Sequence, residues 1–600
     1  MAKTAAANKL PTWDLTDLYP GTDAPELTRD LDAAARDAKA FSKRYAGKVA
    51  ALSGADLGKA IAAYERIDET LSKAGSYAGL VHATAMEDPE IGRFYQTVQE
   101  RLTEISTGLL FFGLEINQIK DAALERKLKD PVAARYRPWI RDSRIFRPHQ
   151  LSEEMEKLLH EKSTTSYSAW VRLYDETSAG LRFRFGGKDV TMAEVLAGLT
   201  DRDGAKRRAA AKALSKGLKG NIRLFSLVTN TLAKDKEIAD RWRHYARPIS
   251  SRNLANRVED EVVDALVGAV QGSYERLSHR YYRLKARWFG VKQLPYWDRN
   301  APLPDDADRK IPWDEAKTLV LSSYRRFSPD LAEIGQRFFD NPWIDAPVKP
   351  GKASGAFAHP TVPSAHPYLL LNYQGRTRDV MTLAHELGHG VHQVLAAGQG
   401  QLLCDTPLTL AETASVFGEM LTFRGLLDAE TNPRRRRVLL ASKVEDMLNT
   451  VVRQVALHSF EAQVHDERRS GELTPDRLGE IWMEAQRASL GPAIRFDDDY
   501  RVFWAYIPHF IHSPFYVYAY AFGDCLVNSL YAVYQDAHEG FAGRYLDMLK
   551  AGGTLRHKEL LAPFGLDASD SAFWSKGLSV VEGFIDELEK LEDAKRATRR

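Results

Sequence analysis

Two histidines four residues apart, with a glutamate beside the first, are the residues of this 600-residue chain best suited to chemistry: His385-Glu386-Leu387-Gly388-His389. On a helix, His385 and His389 project from one face, so both imidazoles can hold one zinc ion. Glu386 then points about 100° around the axis. From there its carboxylate can take a proton from a water activated by the metal without being a ligand. That is the layout of metal-assisted hydrolysis. A zinc site needs a third protein ligand. The metzincin pattern is excluded, because His392 and Leu395 stand where it requires glycine and histidine. A glutamate is the remaining option. Glu412 lies 23 residues beyond His389 and opens the phrase Glu412-Thr413-Ala414-Ser415, and Glu419 follows seven residues later. Glu419 is a candidate to orient a ligand imidazole. His392 is surplus to a tetrahedral site and reads as support or core.

These residues need two helices to bring them together. For the first, Asp379 is the expected N-cap, Val380 to Ala397 contains no proline, and Gly398 stands at the expected stop. Leu383, Leu387, Val391 and Val394 give it an apolar face. The second should open after Pro407 with Thr409 as cap. Ahead of the pair, Ala353-Ser354-Gly355-Ala356-Phe357 and Tyr368 to Tyr373 read as strands. They form either a sheet edge that pairs with an extended peptide, with Gly355 allowing close approach, or a small buried hairpin supporting the zinc helix. Further on, Trp504 to Gly523 gathers His509, His512, Tyr506, Tyr516, Tyr518 and Tyr520. Phenol and imidazole donors of this kind stabilise the oxyanion of an attacked carbonyl. A helix starting near Pro514 would put Tyr516 and Tyr520 on one face.

The whole sequence is that of a soluble globular protein, 44% hydrophobic and 27% charged, with a formal charge of +2. That charge gives no electrostatic case for nucleic acid; the basic clusters Arg434 to Arg437 and Lys595 to Arg600 read as solvated surface. The N-terminus lacks the apolar stretch of a signal peptide, no run approaches the roughly 20 residues that span a bilayer, and Cys404 and Cys525 are far apart. A cytoplasmic protein is expected. Helical patterns cover residues 20–125, starting with Leu27, Leu31, Ala34, Ala38, Phe41 and Tyr45 after a capping-box-like Asp23 to Glu26. Leu181 to Val190 reads as a hairpin around Gly186-Gly187. Asp260 to Trp288 reads as one long helix, and Pro295, Pro302, Pro304 and Pro312 mark an irregular passage after it. The expected regions are 1–125, 126–200 with the hairpin, and a catalytic region 201–600.

Taken together the chain resembles oligoendopeptidase F, among the thimet-oligopeptidase-like zinc metallopeptidases. The resemblance runs from Trp13 to Pro20 through Lys352 to Phe357, Thr382 to His389, Ile507 to Phe510 and Phe515 to Tyr518. It implies one zinc ion per chain on His385, His389 and Glu412, with Glu386 catalytic and His509 assisting the oxyanion. Tyr516 is the first candidate phenol and Tyr520 the second, with Tyr518 left open. The implied fold is mainly α, with two largely helical halves enclosing a deep channel that admits short peptides, and a small β-sheet next to the zinc helix. An endopeptidase of oligopeptides is expected. The alternatives are a peptidyl dipeptidase or other exopeptidase of the same chemistry, a catalytically silent peptide-binding protein, and a metal-free helical scaffold.

Overall fold

A computed structural model describes residues 10–163, 165–303, 310–353, 355–536 and 539–597. Pro304, Ser354 and the last residues of the basic tail fall outside them. The protein is mainly α-helical, with three small sheets among the described residues. None of the described helices is long and apolar enough to cross a membrane. The chain forms two compact units, each discontinuous in sequence. One comprises Met1–Arg147, Asp308–Ala429 and Ala537–Gly565; the other comprises Pro148–Ala307, Glu430–Asp536 and Leu566–Arg600. The divisions at 125 and 200 are, by contrast, divisions along the chain.

In the first unit, helix Pro25–Tyr45 buries all six residues of the expected stripe. Its N-cap is Ala24, with no side-chain cap. Pro25, preset for the first helical position, starts the helix in place of a capping box. A three-stranded sheet has Tyr368–Leu370 at its centre, with Ile344–Asp345 parallel on one side and Phe357–His359 antiparallel on the other. Of the small residues before Phe357, Ala353, Gly355 and Ala356 are loop rather than strand, and a side chain takes two of their carbonyls. Asn372 Nδ2 donates to the carbonyls of Ala353 (3.0 Å) and Gly355 (2.9 Å). The buried Lys352 ammonium meets Asp345 Oδ1 at 2.6 Å and the carbonyls of Asp345, Pro347 and Leu371. Every donor of that ammonium thus has a partner, which is the condition for burying it.

In the second unit the expected hairpin is present: Phe183–Phe185 pairs antiparallel with Lys188–Val190. Gly186 and Gly187 both have positive φ, 61° and 82°, as a tight two-residue turn demands. The expected long helix is interrupted. It runs over Asp260–Gln271, passes through a wide π-type turn at Glu275–His279 and resumes over Arg280–Trp288. The Gly272-Ser273 pair breaks it: Ser273 Oγ turns back to the Ala269 carbonyl at 2.8 Å and receives Arg276.

Candidate metal centre

Helix Thr377–Ala396 carries the histidines, and a short helical turn, Leu408–Ala411, leads through Glu412 into helix Thr413–Ala429. Asp379 is not the N-cap. It is the third residue of the helix, and its carboxylate reaches back to the backbone N–H groups of Arg376 (2.9 Å) and Gln374 (2.8 Å). At the other end the left-handed residue is Gly400, with φ 86°, after a 3-10 turn that contains Gly398. Thr409 is buried inside the short turn, whose N-cap is Pro407. Leu383, Leu387 and Val391 are fully buried and Val394 is half-buried, so most of the expected apolar face holds the histidine helix to its neighbours.

The two main helices approach at Gly388. A Cβ there would lie 2.5 Å from the Ala414 carbonyl oxygen and 2.6 Å from the Ser415 Cα. Only a residue without a side chain lets the backbones come this close. The approach carries Glu412 to the histidines. Glu412 Oε2 is 3.4 Å from His385 Nε2 and 3.5 Å from His389 Nε2. Among the described residues these three form the one His/Cys/Asp/Glu cluster whose ligand atoms all lie within 4.8 Å of one another. Two imidazoles and a carboxylate are a donor set suited to zinc.

The surrounding groups favour a cation here. Burial alone would pull His385 down, but the hydrogen bond to Glu419 and the charges of Glu412 and Glu386 outweigh it and raise the imidazole to about 9. A field that holds a proton on His385 also favours a metal ion in its place. His389 goes the other way, to about 4, chiefly through burial. The ligand rings are oriented from behind. His385 Nδ1 faces Glu419 Oε2 at 3.4 Å, and the Ala411 carbonyl accepts a ring N–H from His389. Glu419→Gln should therefore lower metal affinity by about 10–100-fold, read by competition with a coloured chelator; unchanged affinity would remove Glu419 from the site.

Glu386 is nearly buried and stands outside the ligand trio. Burial raises its carboxyl to about 7, opposed by the charge of His385 and by a backbone N–H from Ala358 in the sheet-edge strand. The Ala358 N–H is a backbone donor, invisible in the side-chain pattern. His392 is core: it is buried, and burial depresses it to about 4. Its Nε2 lies 3.4 Å from Thr406 Oγ1. Tyr324, which no pattern singled out, donates its buried hydroxyl to the Ala384 carbonyl at 2.7 Å, one residue before the first histidine.

His509, Tyr516 and Tyr520 belong to the second unit, where they form a cluster of their own. His509 Nε2 is 3.3 Å from the Tyr520 hydroxyl, and the Tyr516 ring lies 6.1 Å from His509 and 5.4 Å from Tyr520. The helix starts at Tyr518 rather than near Pro514, so Tyr516 sits in the turn before it. Tyr518 is fully buried and its hydroxyl receives Asn256 Nδ2 at 2.9 Å. Tyr520, by contrast, is 38% exposed.

With this geometry in hand, the kinship of the chain is informative. Residues 199–580 match the model of peptidase family M3, and residues 115–183 match that of oligopeptidase F. The chain belongs to peptidase family M3. It is thus a metallopeptidase, and the metal its family requires fits the one ligand cluster described above. Oligopeptidase PepF of Bacillus subtilis (strain 168) is 27% identical to this M3 peptidase, over 98% of the chain and 90% of the relative. The oligoendopeptidase F homolog of Borreliella burgdorferi is 25% identical, over 97% and 98%. The crystal structure of oligoendopeptidase-F from Enterococcus faecium superimposes with a TM-score of 0.72 at 23% identity, covering 96% of this chain and all of that one. At that identity the superposition establishes the fold alone.

Proposed function

We propose that this M3 peptidase is a zinc-dependent endopeptidase that cuts internal bonds of short oligopeptides. The observation that carries the reading is the convergence of His385 Nε2, His389 Nε2 and Glu412 Oε2, with Glu386 beside them and not among them. When bound, zinc supplies Lewis acidity, polarising a carbonyl and making water acidic enough to attack near neutral pH. His385, His389 and Glu412 hold it, and Glu419 and the Ala411 carbonyl fix the rings that do so. Glu386 takes the proton of the attacking water and passes it to the departing amine. Its raised proton affinity supports that shuttle, since an ordinary carboxylate would be a weaker base. The peptide oxyanion is assigned to His509, Tyr516 and Tyr520, whose mutual contacts and partial exposure support a donor role. Restriction to oligopeptides is supported by the names of the relatives. Both cysteines are free, which suits a reducing cytoplasm.

The test combines metal analysis with a ladder of quenched peptides blocked at both ends. The expected result is one zinc per chain, loss of cleavage on chelation, return with zinc, and internal cuts that fade as the peptides lengthen. Failure on every blocked peptide with success on free ones would replace the reading by a peptidyl dipeptidase or another exopeptidase. Tight binding without cleavage would replace it by a peptide-binding protein, and absence of metal by a scaffold.

A further inference from the structure

The turn that presents Tyr516 is bent against its preference. Phe515, fully buried, has φ 60°, a conformation unfavourable for an aromatic residue unless its surroundings impose it. Two side chains impose it. Glu461, in the middle of helix Val452–Arg468, accepts the Phe515 N–H on Oε1 at 2.8 Å. Arg252 donates Nε to the preceding carbonyl, that of Pro514, at 3.1 Å, and its guanidinium lies 5.9 Å from the centre of the Tyr516 ring. The same stretch is tied down further back, where the Tyr167 hydroxyl meets the His512 carbonyl at 2.7 Å. Glu461 itself is only 2% exposed. It lines a cavity of about 210 Å³ with Tyr167, Lys236, His465 and Pro514, and its Oε2 has no hydrogen-bond partner.

An ionisable side chain buried this way is costly, and a helix interior offers it no structural task. Its one hydrogen bond goes to the backbone of the strained residue next to Tyr516. We propose that Glu461 is a positioning residue of the peptidase reaction: through the Phe515 N–H it holds the turn that aims Tyr516, and the start of the helix that aims Tyr520. This rests on the reading of those two phenols as donors to the substrate oxyanion. Glu461 touches no substrate and acts only through the turn.

The distinction from a merely structural role lies in coupling. Without the latch the turn relaxes toward negative φ at Phe515, and the phenol moves by an ångström or more. A displacement of that size costs on the order of 10²-fold in rate. Peptide cleavage by the zinc-loaded full-length enzyme is to be compared for Glu461→Leu, Glu461→Gln, the double variant Tyr516→Phe/Tyr520→Phe, and the triple variant adding Glu461→Leu. Glu461→Leu should lower kcat about 10²-fold with KM within a factor of two and metal content unchanged. Glu461→Gln, whose amide oxygen can still accept the Phe515 N–H, should stay within a factor of about three of the parent. In the Tyr516→Phe/Tyr520→Phe background Glu461→Leu should have no further effect, since the groups it aims are gone. If Glu461→Leu does not accumulate as folded protein, Glu461→Asp, which withdraws the oxygen by one methylene, carries the same expectation. An equal loss in both backgrounds, or no loss at all, overturns the proposal. If the tyrosine double variant itself is fully active, the reading of the phenols has failed, and the proposal falls with it for that separate reason.

Discussion

Glu386→Gln should keep its metal and lose peptide turnover by on the order of 10²–10⁴-fold, the range associated with a positioned general base. The amide is the same size as the carboxyl, and its oxygen can still accept the Ala358 N–H that the carboxylate accepts now. The side chain is nearly buried, so a smaller replacement would admit water and confuse loss of a base with loss of packing. The ligand trio does not include Glu386, so zinc content should remain one per chain. What disappears is the capacity to take a proton from water and deliver it to the amine. Steady-state cleavage of a blocked peptide, alongside elemental analysis of the same preparation, measures both halves of the expectation. Turnover within threefold of the parent would mean that another group moves the proton.

Gly388→Ala should dismantle the metal centre without touching any ligand. Its new methyl carbon would meet backbone atoms of Ala414 and Ser415 at 2.5–2.8 Å, and neither backbone can swing aside as a side chain would. The helices must separate. Overpacking of this kind costs typically about 1–3 kcal/mol. The larger consequence is geometric, because Glu419 rides on the helix that is pushed away, and Glu412 is joined directly to its start, while His385 and His389 stay behind. Metal affinity should fall by at least the roughly 10–100-fold attached to losing one supporting contact. Gly398→Ala is the natural control. No atom beyond its own stretch of chain lies within 4 Å of where its methyl would stand, so stability and affinity should both hold. Metal titration of the two variants decides the matter; equal affinities would show that the close approach at Gly388 is not what assembles the site.

The site was legible in the sequence to the extent that it consists of side chains with fixed periodicity. Two histidines four apart on a proline-free run need only a helix to converge, and the helix forms. Glu412 was legible as a residue but not as a position: it falls between a single helical turn and the longer helix, a break that the chain segment around Thr409 did not announce. Asp379 lies inside the helix and caps backbone groups upstream of itself, and Gly398 follows the C-cap as expected but lies in a 3-10 turn, so the positive-φ glycine comes two residues later, at Gly400. The backbone groups that hold Glu386 and His389 carry no signature of residue type at all. Tyr516 and Tyr520 illustrate the same limit. Their periodicity indicated a shared helical face, whereas the turn at Phe515 keeps Tyr516 outside the helix and brings the two rings together by another route.

The interleaving of the two units also sets a timetable. The helix that follows Glu412 and bears Glu419 packs its Phe417 against Phe327, Phe541 and Tyr545, and the Tyr545 hydroxyl donates to the Thr413 carbonyl at 2.7 Å. These partners are 132 residues apart in the chain. At roughly 5–20 residues per second, a ribosome needs on the order of ten seconds to supply the second after the first. Until residues 537–565 have emerged, Phe327 and Phe417 lack the aromatic partners Phe541 and Tyr545 that pack on them in the finished unit.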